Sequence, residues 1–571
     1  MIVKPTKARR TFIPESLVIS GWSDLEPFVT ALLDREIAQK DAYFSWLKDI
    51  SELEAAIEED SAWRYIRMTI DTTDEQAKQA YMTFVGEIQP KLAVVTDQLN
   101  RKIVGSEFAD DTADKSFFIY FRGIRNEINL FREANIQLNT ELQELSQEYS
   151  TVNGSMSVTI DGEEITMQKA GAKLQLPDRA AREQTFRAIH DVRLANRDVL
   201  DDLFDKMVAK RHQLALNAGF ENFRDYKFAA LGRFDYTAAD CEAFHSSIEK
   251  AIVPIAKEIL KQRKAAMKLD VLRPWDLACD IFGRPPLKPF EGGEELLEKS
   301  ISLFGKIDSF FGNCLQWMKE LEYVDLDSKP GKAPGGYNYP LYESGVPFIF
   351  MNAVGTPRDM VTMMHEGGHA VHSILCHTLP LTSFKGCPSE VAELASMSME
   401  LISLDHWDVF YTDADDLKRA KVEHLEDILT MLPWIAMVDA FQHWVYTNPT
   451  HTRDERTAAW HALEKRFGVD LVDWSGFEDG RDSRWQRQLH IFEVPFYYIE
   501  YGMAQLGALA VWKNHCEHPE TAIQQYKDAL SLGYTRSIGE IYNTAGIRFD
   551  FSENYILDLA KFVQSQLAKL H

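Results

Sequence analysis

Apolar positions recur every three or four residues along most of the chain, the period of helices that bury one face. Ser23-Asp24-Leu25-Glu26 has the form of a capping box and predicts a helix through Ile37. Thr72-Thr73-Asp74-Glu75 marks a second start, followed by an amphipathic run to about Ile103. From Phe117 to about Tyr149 the pattern predicts another helix, with Leu130, Phe131, Ile136, Leu138, Leu142 and Leu145 as a core-facing stripe. Helix resumes after Pro177 with Asp178 as N-cap, and runs with one break to Asn217-Ala218, where Gly219 supplies the C-cap.

Shorter stretches interrupt this period. Residues Ser157 to Met167 alternate on both sides of Asp161-Gly162, the strongest short-range signal for a β-hairpin. The stretch Pro330-Gly331-Lys332-Ala333-Pro334-Gly335-Gly336-Tyr337 cannot be helical and predicts a loop that lines something. Phe348-Ile349-Phe350-Met351-Asn352 then predicts a short strand. Two roles are open to it: one buried strand of a small sheet, or an edge to which an extended peptide adds. The predicted class is mainly α with a small β element. Repeats, low-complexity tracts and obvious linkers are absent from the sequence, and the expected division is an N-terminal helical region, 1–200, and a second region, 201–571.

Composition narrows the function. A formal charge of −25 argues against nucleic acid as a partner, because binding phosphates needs a basic surface. Six cysteines without a C-x-x-C pair suit free thiols in a reducing compartment. The N-terminal Met1-Ile2-Val3-Lys4-Pro5 and the basic residues after it lack the apolar core of a signal peptide. The longest apolar run, Ile428 to Phe441, is interrupted by Thr430, Pro433 and Asp439 and is too short to span a bilayer. A cytoplasmic protein with no membrane partner is expected.

The chemistry concentrates at Met364-His365-Glu366-Gly367-Gly368-His369-Ala370, which reads as H-E-x-x-H. Thr356 suits the N-cap and Pro357 the first position of a helix running into this motif. On a helix, His365 and His369 lie on one face and can direct nitrogens at one zinc ion, with Glu366 beside it to take a proton from water. The competing reading is a charged helix face whose histidines are merely hydrogen-bonded. Gly367 and Gly368 each cost about 0.5–1 kcal/mol of helix stability relative to Ala, so close approach of another backbone or of a ligand is expected there. A third ligand is sought on a helix beginning near Pro388-Ser389. Glu393 and Glu400 share a face of it, and Glu390 precedes Glu393 by about one turn. One of the three as ligand and another as hydrogen-bond partner of a ligand histidine would complete a site; otherwise they are solvated carboxylates.

H-E-G-G-H followed by Glu393 within Val391-Ala392-Glu393-Leu394-Ala395-Ser396 resembles the oligoendopeptidase F and thimet-oligopeptidase family of zinc peptidases. Gly219-Phe220-Glu221-Asn222-Phe223-Arg224-Asp225-Tyr226 is similar to that family's G-x-x-N-F-x-x-Y segment. Gly335-Gly336-Tyr337, Val354-Gly355-Thr356, Tyr526 to Gly533 and Ala545-Gly546-Ile547 extend the likeness, which is nearest to the bacterial oligoendopeptidase F and PZ-peptidase branch. Gly367 departs from the Phe or Leu common at its place. The resemblance implies one zinc per chain, held by His365, His369 and Glu393, with Glu366 as catalytic base and Glu400 behind a ligand. It also implies that 201–571 is the catalytic region of a two-lobed helical ellipsoid, whose deep channel admits short unfolded peptides.

The stretch from His490 to Gly502 holds Tyr497, Tyr498 and Tyr501, three or four apart. The resemblance implies that His490, Tyr498 and Tyr501 donate to the substrate carbonyl, and that Tyr497, Gly335, Gly336 and Tyr337 bind substrate. Phenols stay protonated at pH 7 and can donate to an oxyanion, though packed core tyrosines are the alternative. His372, His377 and His443 read as structural. The expected activity is a zinc endopeptidase. A carboxypeptidase or dipeptidyl carboxypeptidase on the same scaffold is the nearest alternative, and a non-catalytic peptide-binding protein is the other.

Overall fold

Helix accounts for 69% of the chain and strand for 4%, so the mainly α expectation holds. The structure, a computed structural model, describes residues 4–333, 335–468 and 471–570. Met1, Ile2 and Val3, and Pro334 of the predicted loop, lie outside the described residues. Among the described residues no helix is long and apolar enough to cross a membrane.

Helix starts follow their caps more faithfully than helix lengths follow the apolar pattern. Asp74 caps Glu75–Thr83 by accepting from the backbone of Gln76 and Ala77. The run to Val104 is then interrupted by a wider, π-type turn at Phe84–Ile88. The first helix, Trp22–Asp34, starts earlier and stops sooner than predicted. Its Asp24 accepts from the backbone of Ser20 (2.8 Å) and Gly21 (3.0 Å), so Ser23 is not the cap. The segment predicted over 117–149 is two helices, Lys115–Leu130 and Ala134–Gly154, parted at Phe131-Arg132-Glu133. Its supposed core stripe is only half-buried, and Asn135 and Tyr149 are the buried positions of the second piece. The hairpin forms as β1 (Ser157–Ile160) and β2 (Glu163–Thr166), with Asp161 and Gly162 both at positive φ, +56° and +84°. That is the backbone a two-residue primed turn demands. Gly219, at φ +88°, follows the helix Arg197–Asn217 as a left-handed terminator.

Contacts divide the chain into two compact units. One comprises Met1–Phe131, Lys288–Arg419 and Ala504–Phe549; the other comprises Arg132–Leu287, Ala420–Met503 and Asp550–His571. These units interleave along the chain, whereas the division expected near residue 200 is sequential.

In the first unit, Leu25, Leu32, Tyr43, Trp46, Ile88 and Phe121 centre one hydrophobic cluster. Its two polar tips are satisfied: Trp46 Nε1 donates to Leu32 O (3.0 Å) and the Tyr43 hydroxyl to Ile103 O (3.0 Å). A three-stranded sheet packs beside Ala62 and Ile66. Its strands are β3 (Val324–Asp327), β4 (Tyr337–Tyr339) and β5 (Phe348–Ala353), in the order β3-β5-β4. The central β5 pairs with β3 in parallel and with β4 antiparallel. Both of its edges are therefore taken, which overturns peptide addition to Phe348–Asn352; β4 is an outer strand.

The second unit is pinned by buried charge. Asp276 is fully buried and receives Arg179 on both oxygens (2.9 and 2.8 Å), Arg182 Nη2 (3.2 Å) and the Arg273 amide (2.9 Å). Arg182 is itself only 2% exposed. Burial pushes the Asp276 carboxyl upward, but the hydrogen bonds from Arg179, Arg273 and Arg182 outweigh it and hold the group below its ordinary value. A carboxyl lowered by folding stabilises the fold above its unfolded pKa of about 3.9, and that stability fades as pH falls through the folded value. Asp276→Asn leaves Arg182 buried without its counter-charge and is expected to cost about 3–5 kcal/mol. Denaturant unfolding at neutral pH measures this. The variant should also lose less stability than the parent on acidification below about pH 4.

Candidate metal centre

The H-E-x-x-H segment lies on the helix Pro357–Cys376, whose apolar face turns inward at Met360, Met363 and Met364. Thr356 Oγ1 caps it by accepting from the Asp359 amide (3.2 Å), and Asp359 Oδ2 accepts in turn from the Thr356 amide (2.9 Å). Both residues thereby satisfy amides that a helix start leaves open. The predicted second helix is Ser389–Ile402, entered through Pro388. These two helices meet at Gly368. A Cβ there would lie 2.7 Å from Ser396 Cα and 2.8 Å from Ala395 O, so a side chain has no room against the facing backbone. Gly367 serves another neighbour: its Cβ would fall 2.5 Å from Cζ of Phe304. The Phe304 ring occupies the space that a larger residue at 367 would fill. Beyond the second helix, the Tyr526 hydroxyl donates to Ala395 O (2.7 Å) and the Tyr542 hydroxyl to Glu390 O (3.0 Å), fixing its rotation.

This approach brings His365, His369 and Glu393 together. One ligand atom from each lies within 4.8 Å of the other two. His365 Nε2 is 3.2 Å from Glu393 Oε2, and His369 Nε2 is 3.8 Å from the same oxygen. Behind His365, its Nδ1 sits 2.7 Å from Glu400 Oε1. With Nδ1–H donating to Glu400, Nε2 is the nitrogen turned toward Glu393. Glu393 also accepts from Ser396 Oγ (3.1 Å). The helix is buried rather than solvated: Glu390 is 2% and Glu393 4% exposed. Glu390 is not one of the three converging groups.

The electrostatics suit a cation among these groups. Burial opposes a charge on His365, yet the hydrogen bonds and charges of Glu393 and Glu400 prevail and raise its pKa well above the ordinary value. Burial pulls His369 the other way, down to about 4. An unprotonated Nε2 facing a carboxylate sets acceptor against acceptor, an arrangement that a proton or a cation between the two relieves. Two imidazole nitrogens and one carboxylate oxygen are a donor set that zinc takes readily. Glu366, 7% exposed, is pushed up to about 7 by burial and by Glu393 and Glu400, against a lowering influence of His365. Its carbonyl accepts from Asn338 Nδ2 (3.2 Å), which ties β4 to the motif helix; the sequence carries no signal for this contact.

Gly335 has φ +101°, and a Cβ on Gly336 would come within 3.3 Å of Phe350 O. The Tyr337 ring stacks on Phe350 at 4.8 Å, and its hydroxyl is 2.6 Å from Thr69 Oγ1. His372, read as structural, is buried and held down to about 3 by burial.

The other predicted cluster forms within the second unit. His490 has ring centroids 4.8 Å from Tyr498, 5.7 Å from Tyr501 and 6.1 Å from Tyr497. Gln488 Nε2 lies 2.8 Å from His490 Nδ1. Tyr498 and Tyr501 are on the first turn of the helix Tyr498–Glu517, and Tyr497 precedes it. The chain enters that helix through Phe496, a fully buried aromatic at φ +68°. Such a backbone costs about 1–3 kcal/mol and must be held by its surroundings. Gln442 accepts from its amide (2.8 Å), and Arg233 donates to its carbonyl (2.5 Å) while pairing with Glu500 (2.9 Å). These supports are far apart in sequence and follow no period, so pattern reading misses them.

Gly368→Ala tests the helix contact. Neither Ser396 Cα nor Ala395 O can give way as a flexible side chain would, so the variant is expected to lose about 1–3 kcal/mol despite alanine's better helix propensity. Thermal unfolding and retention of divalent metal on dialysis should both fall.

Residues 172–560 match peptidase family M3, and residues 20–131 match the peptidase M3 N-terminal domain. An oligoendopeptidase F homolog of Borreliella burgdorferi is 23% identical over 385 residues, 66% of this chain and 62% of that protein. Oligopeptidase PepF of Bacillus subtilis is 22% identical over 317 residues, 54% of this chain and 46% of that protein. The chain thus spans less than two thirds of the length of these relatives. A solved structure of PZ peptidase A with an inhibitor superposes with a TM-score of 0.91 at 27% identity, over 98% of this chain and 99% of that one. Oligoendopeptidase-F from Enterococcus faecium shares the fold, with a TM-score of 0.61 at 15% identity over 97% of this chain and 94% of that one.

Proposed function

The chain belongs to peptidase family M3, and on that footing we propose that it is a zinc-dependent endopeptidase acting on short unfolded oligopeptides. The observation that carries this reading is the approach of His365 Nε2 and His369 Nε2 to one oxygen of Glu393, with Glu366 buried alongside. One zinc ion per chain, held by His365, His369 and Glu393, would supply Lewis acidity toward a water and the scissile carbonyl.

The residues of the chain do the rest. Glu366 takes the proton from the attacking water and passes it to the leaving amine, and its burial makes it a stronger base than an exposed carboxylate. Glu400 fixes the ring and tautomer of His365 through Nδ1. His490, Tyr498 and Tyr501 donate to the carbonyl oxygen as negative charge grows on it, an assignment that rests on the family resemblance. Tyr497 and the stretch Gly335-Gly336-Tyr337 hold the peptide. Since the Tyr337 ring and hydroxyl are engaged with Phe350 and Thr69, that stretch binds through its backbone, as β4 is an outer strand. The inhibitor in the PZ peptidase A structure supports a ligand-binding site on this fold. Cytoplasmic localisation belongs to this reading; the six cysteines form no disulfide.

Glu366→Gln should keep its metal and its affinity for peptide while kcat falls at least about a hundredfold. Mass analysis of a peptide digest with parent and variant reads this out, and undiminished turnover removes Glu366 from the role. Glu400→Ala should weaken zinc binding about 10–100-fold in chelator competition, whereas Glu393→Ala should abolish it. Peptides with an amidated C-terminus should be cleaved as fast as free acids. Loss of cleavage on amidation would favour the carboxypeptidase alternative.

A further inference from the structure

Two helices each carry, in the second unit, a pair of ligand-type side chains four residues apart. Cys241 and His245 lie on Ala238–Ala251, and Asp439 and His443 on Ala414–Thr447, so each pair shares a helix face. All four are buried: Cys241 and Asp439 completely, His245 to 3% and His443 to 7% exposure. One ligand atom each of Cys241, Asp439 and His443 lies within 4.8 Å of the other two.

The hydrogen bonding within this group is incomplete. Asp439 Oδ2 accepts from His245 Nε2 at 2.8 Å. His443 Nε2 is 3.2 Å from the same oxygen but not aligned as a donor to it. Both ring nitrogens of His443, and Asp439 Oδ1, are buried without a hydrogen-bond partner. Buried polar groups are rarely left so, and each such case calls for a reason. The surroundings supply none from the protein: Phe228 and Phe496 stand edge-on to the His443 ring, and Phe467 to that of His245. The reading of His443 as merely structural therefore leaves three atoms unexplained.

We propose that Cys241, Asp439 and His443 form a second transition-metal site, independent of the peptidase centre, that takes zinc. His245 donates to one oxygen of Asp439 and turns the other toward the ion. The chemistry selects the metal class. A thiolate and an imidazole favour zinc over calcium or magnesium, which take oxygen donors. A divalent ion compensates the thiolate and carboxylate charges that burial would otherwise make costly. Bound there, it ties Ala238–Ala251 to Ala414–Thr447, the helix that also supplies Gln442 to the strained Phe496.

Cobalt(II) distinguishes this site from the group at His365, His369 and Glu393, which contains no sulfur, and Cys241→Ser distinguishes it from the other five cysteines. The purified full chain, stripped of metal and reloaded with cobalt, should show a thiolate-to-cobalt charge-transfer band in the near ultraviolet. The band should persist in a His365→Ala/His369→Ala double variant and vanish in Cys241→Ser. Zinc analysis should give two ions per chain in the parent and one in the double variant. Absence of the band in the parent, its survival in Cys241→Ser, or a double variant without zinc overturns the proposal. Should Cys241→Ser fail to fold, the parent and double-variant measurements still decide. Loss of the double variant's peptidase activity with the band intact separates the two sites, and an inactive parent that shows the band would count against the peptidase reading only.

Discussion

The backbone contact at Gly368 is the constraint on which the candidate centre depends. His365 and Glu393 come from helices separated in sequence by the segment 377–388, which holds the short helix Thr382–Lys385. They reach one another because the two helix backbones nearly touch between them, at Gly368 against Ala395 and Ser396. Gly367 allows the Phe304 ring to close the next gap. A glycine pair that weakens the helix on its own is thus offset by tertiary contact, and the position of the Glu393 carboxylate follows from it.

Electrostatics then makes the centre more than a packing site. Glu366, Glu390 and Glu393 are all at least nine-tenths buried, and Glu400 stands against His365. That much negative charge out of water is stable only if it is neutralised. Glu393 and Glu400 accordingly raise the pKa of His365, burial raises that of Glu366 to about 7, and burial lowers that of His369 to about 4. A divalent cation held by the three converging atoms would relieve the same imbalance and favour the ionised form of Glu366. The same logic applies, on a smaller scale, to Asp439 between two histidines.

What could be read from the chain divides by range. Local signals were legible: the Thr356 cap and Pro357 start, the Asp161-Gly162 turn, and the one-face spacing of His365 with His369. Each depends on residues within a turn of one another. The break at Phe131-Arg132-Glu133 was not, because it contains no residue that forbids helix; the widened turn at Phe84–Ile88 does carry a local signal, Gly86 within it and Pro90 just after it, whose missing N–H and ring break the regular ladder at the carbonyl four residues back. The strand at Phe348 showed its type but not its place, since periodicity is silent on which strands flank it. The partners of the glycines, the Asn338 contact with Glu366, and the clamp on Phe496 all join residues tens to hundreds of positions apart. Cys241 and Asp439 escaped notice for the same reason: each pair repeats at four, but nothing in the sequence says the two helices face each other.

Diffraction measured on both sides of the zinc absorption edge decides whether His365, His369 and Glu393 hold the ion. An anomalous peak is expected between His365 Nε2, His369 Nε2 and the Glu393 carboxylate, with Glu366 near the ion but not bound to it. A catalytically active crystal without a peak at that point, or with the ion on Glu390 or Glu366 instead, would contradict it.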